Sequence, residues 1–267
     1  MAQDFVIFLP ARYGSRRYPG KPLANLRGAG GEVRSLIRRS WEAALAICDG
    51  SRIWVATDDQ RIADAARGFG AQVVITPAAC RNGTERCAAA LDQLGNIAPL
   101  VVNWQGDAPL TPDFAITGIV AALANDETAA MATPAMRCSE TLYRHLVADQ
   151  AQGRTGGTTV VFNDADRALY FSKQIIPGVP AGLVDPQRHI HLHLGVYAYR
   201  PAALRAYAAS PPTRLEELEG LEQLRFLETG QPVRVVRFDP IGWDCIELNN
   251  PSDVPAIERV LAERGVR

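Results

Sequence analysis

Short, continuous apolar runs recur along the first half of the chain, at Phe5–Leu9, Arg52–Ala56, Gln72–Ile75 and Leu100–Trp104, with helical patterns between them at Val33–Ile47, Gln60–Phe69 and Thr84–Leu94. A strand that is apolar at successive positions is one buried on both faces. Alternation of such strands with helices builds βαβ units, so the chain is expected to be α/β, with a mostly parallel, Rossmann-like sheet flanked by helices. Gly70 falls at a helix C-cap, and Thr111-Pro112-Asp113 opens the next helix with a capping residue and Pro at N1. After about residue 130 the rhythm loosens. Ala129–Ala135, Thr158–Phe162 and His191–Tyr199 read as strands, Gly178–Gly182 as an irregular excursion, and Leu215–Thr229, closed by Gly230, as one helix. Val233–Phe238 returns to strand, and Pro251–Arg264 ends the chain as a helix. No repeat, low-complexity tract or linker divides the 267 residues, which read as one domain. Residues 1–128 and about 230–267 would form its regular core, and about 129–229 a smaller, less regular lobe.

The first strand runs into Pro10-Ala11-Arg12-Tyr13-Gly14-Ser15-Arg16-Arg17-Tyr18-Pro19-Gly20-Lys21-Pro22-Leu23, a loop with four cations and no acid. It leaves the carboxyl edge of a parallel sheet, where α/β folds bind ligands. Gly14 and Gly20 allow backbone amides to approach an anion, Arg12 and Arg17 offer planar forks for phosphate oxygens, and Lys21 offers a point charge. Only Lys21 and Lys173 are lysines among 28 basic residues. A lysine here therefore runs against the chain's own bias. The loop is not a P-loop, because five residues rather than four separate Gly14 from Gly20 and Lys21 is followed by proline.

Formal net charge is −1 at pH 7 and the sequence pI about 6.4, which gives no general attraction to nucleic acid or anionic membrane. Residues 1–39 nevertheless hold eight basic side chains against two acids, so positive charge gathers around the proposed anion site. The five cysteines are scattered, without zinc-ligand spacing, and read as reduced thiols in a cytoplasmic protein. No secretory leader or membrane-spanning run is visible.

Asn103-Trp104-Gln105-Gly106-Asp107-Ala108-Pro109 follows a strand directly, which puts Asp107 at the same sheet edge as the cationic loop. An acid beside a phosphate cradle points to Mg²⁺; its alternative is a helix cap. Asn82-Gly83-Thr84-Glu85-Arg86 begins a helix, so its amides, the Thr84 hydroxyl and Arg86 are candidates to hold a base or phosphate. Asp58-Asp59 reads as a cap, since adjacent residues point apart. His189, His191 and His193 alternate and would share a strand face, with His193 the favoured substrate contact. Glu216, Glu219 and Glu222–Gln223 would share one face of the Leu215–Thr229 helix, ordinarily a solvated one, with Arg225 paired to Glu222.

Taken in order, PARYGSRRYPGKPL, ATDD, NGTERCA, NWQGDAPL, ALYFSK, HLGVYAYR and LEELEGLEQLR resemble the CMP-3-deoxy-manno-octulosonate (CMP-KDO) synthetases over nearly the whole chain. The resemblance implies a nucleotide-diphospho-sugar transferase type of fold that pairs as a homodimer through the less regular lobe, which also binds the acceptor. It implies that Arg12, Arg17 and Lys21 act on the triphosphate of CTP. Pro10, Ala11, Ser15, Asn82, Gly83, Thr84, Arg86, Gln105 and Gly106 would complete the nucleotide site. Lys173, His193, Tyr197, Glu219, Glu222 and Gln223 would contact an acidic acceptor, and Asp107 would bind Mg²⁺. The family's late Gly-x-Asp-Thr-Pro-Glu-Asp motif reads here Glu247-Leu248-Asn249-Asn250-Pro251-Ser252-Asp253, so Asn249 takes the place of a second metal carboxylate, its amide oxygen still able to ligate. Thr159 and Leu192 stand where the family has basic residues, and the arginine expected after Ile176-Pro177 is missing. Those changes suggest a different, smaller acid, such as phosphonoformate, as a rival acceptor to KDO.

The expected reaction is attack of an acceptor oxygen on the α-phosphorus of CTP, with pyrophosphate leaving. Two alternatives belong to other classes. A nucleotide-sugar-dependent glycosyltransferase would typically carry Asp-x-Asp, whereas Gln105-Gly106-Asp107 has one acid; a CTP-binding regulator would have lost turnover with the change at Asn249. A dehydrogenase is disfavoured because no G-x-G-x-x-G follows the first strand.

Overall fold

Every position of strand β1 (Phe5–Ala11) is buried, as its unbroken apolar run requires. The computed structural model describes residues 4–15, 17–180, 182–243 and 245–267, so Arg16 of the cationic loop and Ala181 of the irregular excursion lie outside the described residues. Strands β2 (Asn25–Arg27), β3 (Val33–Ser35), β4 (Ile53–Thr57), β5 (Gln72–Ile75) and β6 (Leu100–Trp104) follow, with helices α1 (Leu36–Leu45), α2 (Gln60–Gly68) and α3 (Gly83–Leu94) among them. The chain continues through α4 (Asp113–Ala124), β7 (Met131–Arg137), α5 (Glu140–Ala151), β8 (Thr159–Phe162), β9 (Ala168–Ser172), β10 (His191–His193) and β11 (Val196–Tyr199). Helices α6 (Pro201–Ala209), α7 (Arg214–Glu219) and α8 (Leu224–Glu228), strand β12 (Val233–Phe238) and helix α9 (Val254–Glu263) complete it.

One sheet runs β5-β4-β1-β6-β11-β7-β10-β8-β9, with β12 also paired to β7. β5, β4, β1 and β6 are mutually parallel, and β7, β8 and β12 share their direction. β9, β10 and β11 run the other way. The second half of the chain is thus built into the same sheet, with β11 inserted between β6 and β7.

Alternation along β1 divides two cores. Val6 and Phe8 pack with Cys87, Ala88 and Leu91 of α3 and with Leu204 and Tyr207 of α6. Phe5, Ile7 and Leu9 face the opposite core, against Ile37 of α1, Ile62 of α2 and Ile116 of α4. A third cluster joins Leu26 of β2 and Leu36 of α1 to Ile257 and Leu261 of α9.

Several expected boundaries move. Val33–Ser35 is a strand in a β2–β3 hairpin, not the first turn of a helix, and α1 starts after it. Pro112 is the residue before α4 rather than its first. A short 3₁₀ turn, Pro251–Asp253, precedes α9. His191–Tyr199 is two strands, because a tight turn with Val196 N bonded to Leu194 O at 2.7 Å lets β10 and β11 take different partners. His189 ends a 3₁₀ turn, so the three histidines do not line one strand face. Leu215–Thr229 is broken at Gly220, whose φ of +62° ends α7 in a left-handed cap that a residue with a Cβ resists. Asp59 caps α2 as expected, accepting from Arg61 N. No disulfide joins the cysteines among the described residues, and Cys87 and Cys138 are buried. No helix among the described residues is long and apolar enough to cross a membrane.

Candidate active site

β1 and β6 are neighbours in parallel register, Phe5 beside Leu100 and Phe8 beside Asn103, so the loops leaving their carboxyl ends meet. Lys21 Nζ donates to Asp107 Oδ2 in a mostly buried ion pair. Gly106 backs onto the Pro10 carbonyl, and the buried Ser40 Oγ donates to the Gly106 carbonyl at 3.0 Å. Trp104 Nε1 donates to Ala108 O at 3.0 Å, closing the turn that presents Asp107. Within the cationic loop, Ser15 N and Gly20 N both donate to Tyr13 O at 2.9 Å, and Ser15 Oγ accepts from Tyr18 N at 3.3 Å. These bonds gather Ser15, Tyr18 and Gly20 around Tyr13, and Lys21 follows directly from Gly20. Arg12 is exposed and makes no hydrogen bond or ion pair with another described residue. Arg17 is exposed too, and its Nη2 donates to Asn249 Oδ1 at 2.7 Å.

The late segment reaches this point by a backbone bond, Leu248 N to Asp107 O at 2.9 Å. Asp253 accepts from Asn249 N and Asn250 N at 2.9 and 2.7 Å and sets the local turn. Glu247 joins the same charge cluster. Burial, reinforced by the negative charge of Asp107, pushes its carboxyl up to about 7, while Lys21, a hydrogen bond from Asn249 and Arg17 pull the other way. An acid two positions before Asn249 was the only sequence signal for Glu247.

Beside this cluster α3 begins. Asn82 Oδ1 accepts from Glu85 N at 2.9 Å, and its Nδ2 donates to Tyr207 Oη at 2.8 Å. Thr84 is fully buried, with Oγ1 2.8 Å from Tyr199 Oη. Glu222 accepts from Thr84 N and from Gln105 Nε2, both at 3.0 Å, and Gly83 lies against the Gln105 amide. Burial raises the Glu222 carboxyl, with the Thr84 donors opposing it. Of the amides expected to be open at this helix start, those of Thr84, Glu85 and Arg86 are already in use. Arg86 is buried, donating to Thr76 Oγ1 at 2.5 Å and lying 3.5 Å from Asp58, at the carboxyl ends of β5 and β4.

The glutamate-rich segment is not a solvated face. The break at Gly220 turns its acids inward in three directions. Glu216 is buried and takes two 2.6 Å bonds from Arg225, which is 1% exposed and also reaches Glu85 at 3.3 Å rather than pairing with Glu222. Glu219 accepts from Ser172 Oγ at 2.7 Å and Lys173 N at 3.0 Å. Glu222 holds Gln105 and Thr84 as described. Lys173 is exposed, its ammonium close beside Gly220.

His193 is buried between the Phe171 and Tyr197 rings, and its Nε2 lies 2.9 Å from Thr133 Oγ1. The Thr133 hydroxyl donates to Val196 O at 2.8 Å, so it accepts from the imidazole, which carries its proton on Nε2. Burial lowers the His193 pKa to about 3, and the ring is neutral near pH 7. Tyr197 Oη donates to Gln223 Oε1 at 3.3 Å. Among the described residues, Gln223 Nε2 and both side-chain atoms of Asn103 are buried without hydrogen-bond partners. Asn103 was not singled out by the sequence reading; an amide in an otherwise apolar strand was its only signal. Thr159 knits backbone, donating to Gln174 O at 2.6 Å and accepting from Ile176 N at 3.1 Å, while Leu192 packs against a cluster of Cys138, Leu146 and Ile190.

The sequence profile of the Cytidylyltransferase family matches residues 6–235. The 3-deoxy-manno-octulosonate cytidylyltransferase of Maricaulis maris is 43% identical over 257 residues, covering 96% of each chain. The 8-amino-3,8-dideoxy-manno-octulosonate cytidylyltransferase of Shewanella piezotolerans is 37% identical, over 97% of this chain and 99% of that one. A solved CMP:2-keto-3-deoxy-manno-octonic acid synthetase complexed with CTP superposes with a TM-score of 0.82 at 29% identity, covering 98% of this chain and all of the other. With the ordered motifs, the shared fold and near full-length relatives in agreement, the chain belongs to the cytidylyltransferase family, in its CMP-KDO synthetase branch, and is a CTP-dependent nucleotidyltransferase.

Proposed function

We propose that the protein transfers CMP from CTP to the anomeric hydroxyl of a KDO-like 3-deoxy-ulosonic acid. The acceptor oxygen attacks the α-phosphorus, the bond from that phosphorus to its bridging oxygen breaks, and pyrophosphate leaves. The observation that carries this reading is the meeting of Lys21 with Asp107 between two loops at the carboxyl ends of β1 and β6. Arg12, Arg17 and Lys21 would neutralise charge developing on the pyrophosphate, in a reaction that leaves the protein mostly positioning and electrostatics. Pro10, Ala11 and Ser15 shape the loop, and Asn82–Arg86 with Gln105 and Gly106 form the cytidine side, Glu222 fixing Gln105.

On the acceptor side, His193 serves as a neutral hydrogen-bonding ring, beside Tyr197, Gln223, Glu219 and Lys173. The Asn103 amide and the Gln223 Nε2, unpaired among the described residues, are buried groups of the kind that a polar ligand or water satisfies. Mg²⁺ fits the donor chemistry here: the Asp107 carboxylate and the Asn249 amide offer oxygen donors, the type it takes together with water. When bound it would supply charge neutralisation on the phosphates. The same reading includes a homodimer paired through residues of about 129–229.

A pyrophosphate-release assay crossing CTP and UTP with KDO, its 8-amino analogue, a sialic acid and phosphonoformate tests this. Turnover with CTP and a manno-octulosonate is expected. Turnover with phosphonoformate alone would fit the uncharged Thr159 and Leu192 better and would overturn the acceptor. Activity with UTP only, release of a nucleoside diphosphate, or CTP binding without turnover on any acceptor would overturn the reaction.

A further inference from the structure

Asn249 stands where the resembling family carries a carboxylate, and a neutral amide leaves Asp107 as the only charged ligand at the proposed cation site. Both ends of that amide are already engaged. Its Oδ1 accepts from Arg17 at 2.7 Å, and its other end donates to the Glu247 carboxylate. The bond from Leu248 N to Asp107 O locks the residue next to Glu247 onto the backbone of Asp107. Glu247 extends across the turn between β10 and β11, where one of its oxygens lies 2.8 Å from the point at which a Cβ on Gly195 would stand. Only a glycine leaves that carboxylate its present place. β11 is the neighbour of β6, Val196 sitting opposite Trp104, so this turn borders the strand end that presents Asp107.

We propose that Glu247 supplies the second carboxylate of the divalent-cation site in this chain, and that Asn249 is a positioning residue that clamps Glu247 and Arg17 in place. The charge missing at position 249 is thereby restored from two residues earlier. An Asp107–Glu247 pair offers two anionic oxygen ligands to a hard cation, whereas Asp107 with Asn249 offers one. This rests on the reading that CTP is used as a metal complex.

The test is Mn²⁺ binding, followed by electron paramagnetic resonance in the presence of α,β-methylene CTP, so that affinity is read without turnover. Folding of each variant is checked by circular dichroism and thermal melting. Asp107→Asn and Glu247→Gln are each expected to weaken Mn²⁺ at least about tenfold, no less than losing an outer partner of a metal ligand does. Asn249→Ala, which removes the clamp but no charged ligand, should weaken it about tenfold and by no more than Glu247→Gln does. Gly195→Ala, which displaces the carboxylate without removing it, should weaken Mn²⁺, and Asn249→Asp should restore binding in the Glu247→Gln background. Wild-type affinity in Glu247→Gln with a large loss in Asn249→Ala would overturn the assignment while leaving the site itself at Asp107. Unchanged affinity in Asp107→Asn would instead overturn the metal reading of the proposed function.

Discussion

His193 gives the structure a measurable dependence on pH. Its imidazole is enclosed by Phe171 and Tyr197, bonded to Thr133, and held neutral with a pKa of about 3 against about 6.5 in an unfolded chain. Because the folded value is the lower one, the unfolded state binds the proton first as pH falls. Stability from this group is complete above about pH 6.5 and is lost progressively down to about 3. Each pH unit inside that window costs about 1.4 kcal/mol, so lowering pH from 7 to 5 should remove about 2 kcal/mol. Urea unfolding of wild type and His193→Gln at pH 7, 6 and 5 reads this directly. The variant, less stable at pH 7, should lose about 2 kcal/mol less over the range, and the two curves should converge. Parallel curves would refute the reasoning, since they would mean that His193 accepts a proton in the folded state as easily as in the unfolded chain.

Lys21→Ala should lower kcat by about 10²-fold or more in the pyrophosphate-release assay, the scale of losing one key electrostatic donor; wild-type turnover would remove Lys21 from the phosphate site. Arg225→Leu strands the buried Glu216 carboxylate and should cost about 3–5 kcal/mol in denaturant unfolding, much of it recovered when Glu216→Leu is added. Gly220→Ala forces φ near +62° on a residue with a Cβ and should destabilise by about 1–2 kcal/mol. The added methyl also stands 2.9 Å from Lys173 Nζ, so KM for the acceptor should rise more than KM for CTP.

The parallel half of the sheet was legible because period and burial agree there. β5, β6 and β12 lie where the apolar runs put them, since each run is short, continuous and bounded by turn residues. The segments that departed from expectation depend on single local events that a periodic pattern does not register. Leu215–Thr229 keeps a helical spacing across Gly220, yet the left-handed conformation there splits it and sends Glu216, Glu219 and Glu222 to separate partners. His191–Tyr199 reads as one apolar strand across Leu194-Gly195, where the chain changes partners. α5, α6 and β9 went unassigned; α6, rich in alanine, shows little contrast between its faces.

The cationic loop and Asp107 were readable because each directly follows a recognisable strand, and adjacency of β1 and β6 was enough to bring them together. What surrounds them was not. Glu222 meets Thr84 from 138 positions away, and Arg17 meets Asn249 from 232, contacts that no local pattern carries. Spacing likewise does not reveal that Thr76 and Asp58 hold the Arg86 guanidinium at the start of its helix.

A crystal structure of the protein with Mg²⁺ and α,β-methylene CTP tests the central claim most directly. The triphosphate should lie against the cationic loop, in contact with Arg12, Arg17 and Lys21, with the cation at Asp107 and the cytosine beside Gln105. A nucleotide whose phosphates point away from that loop, or a cation bound elsewhere, would contradict it.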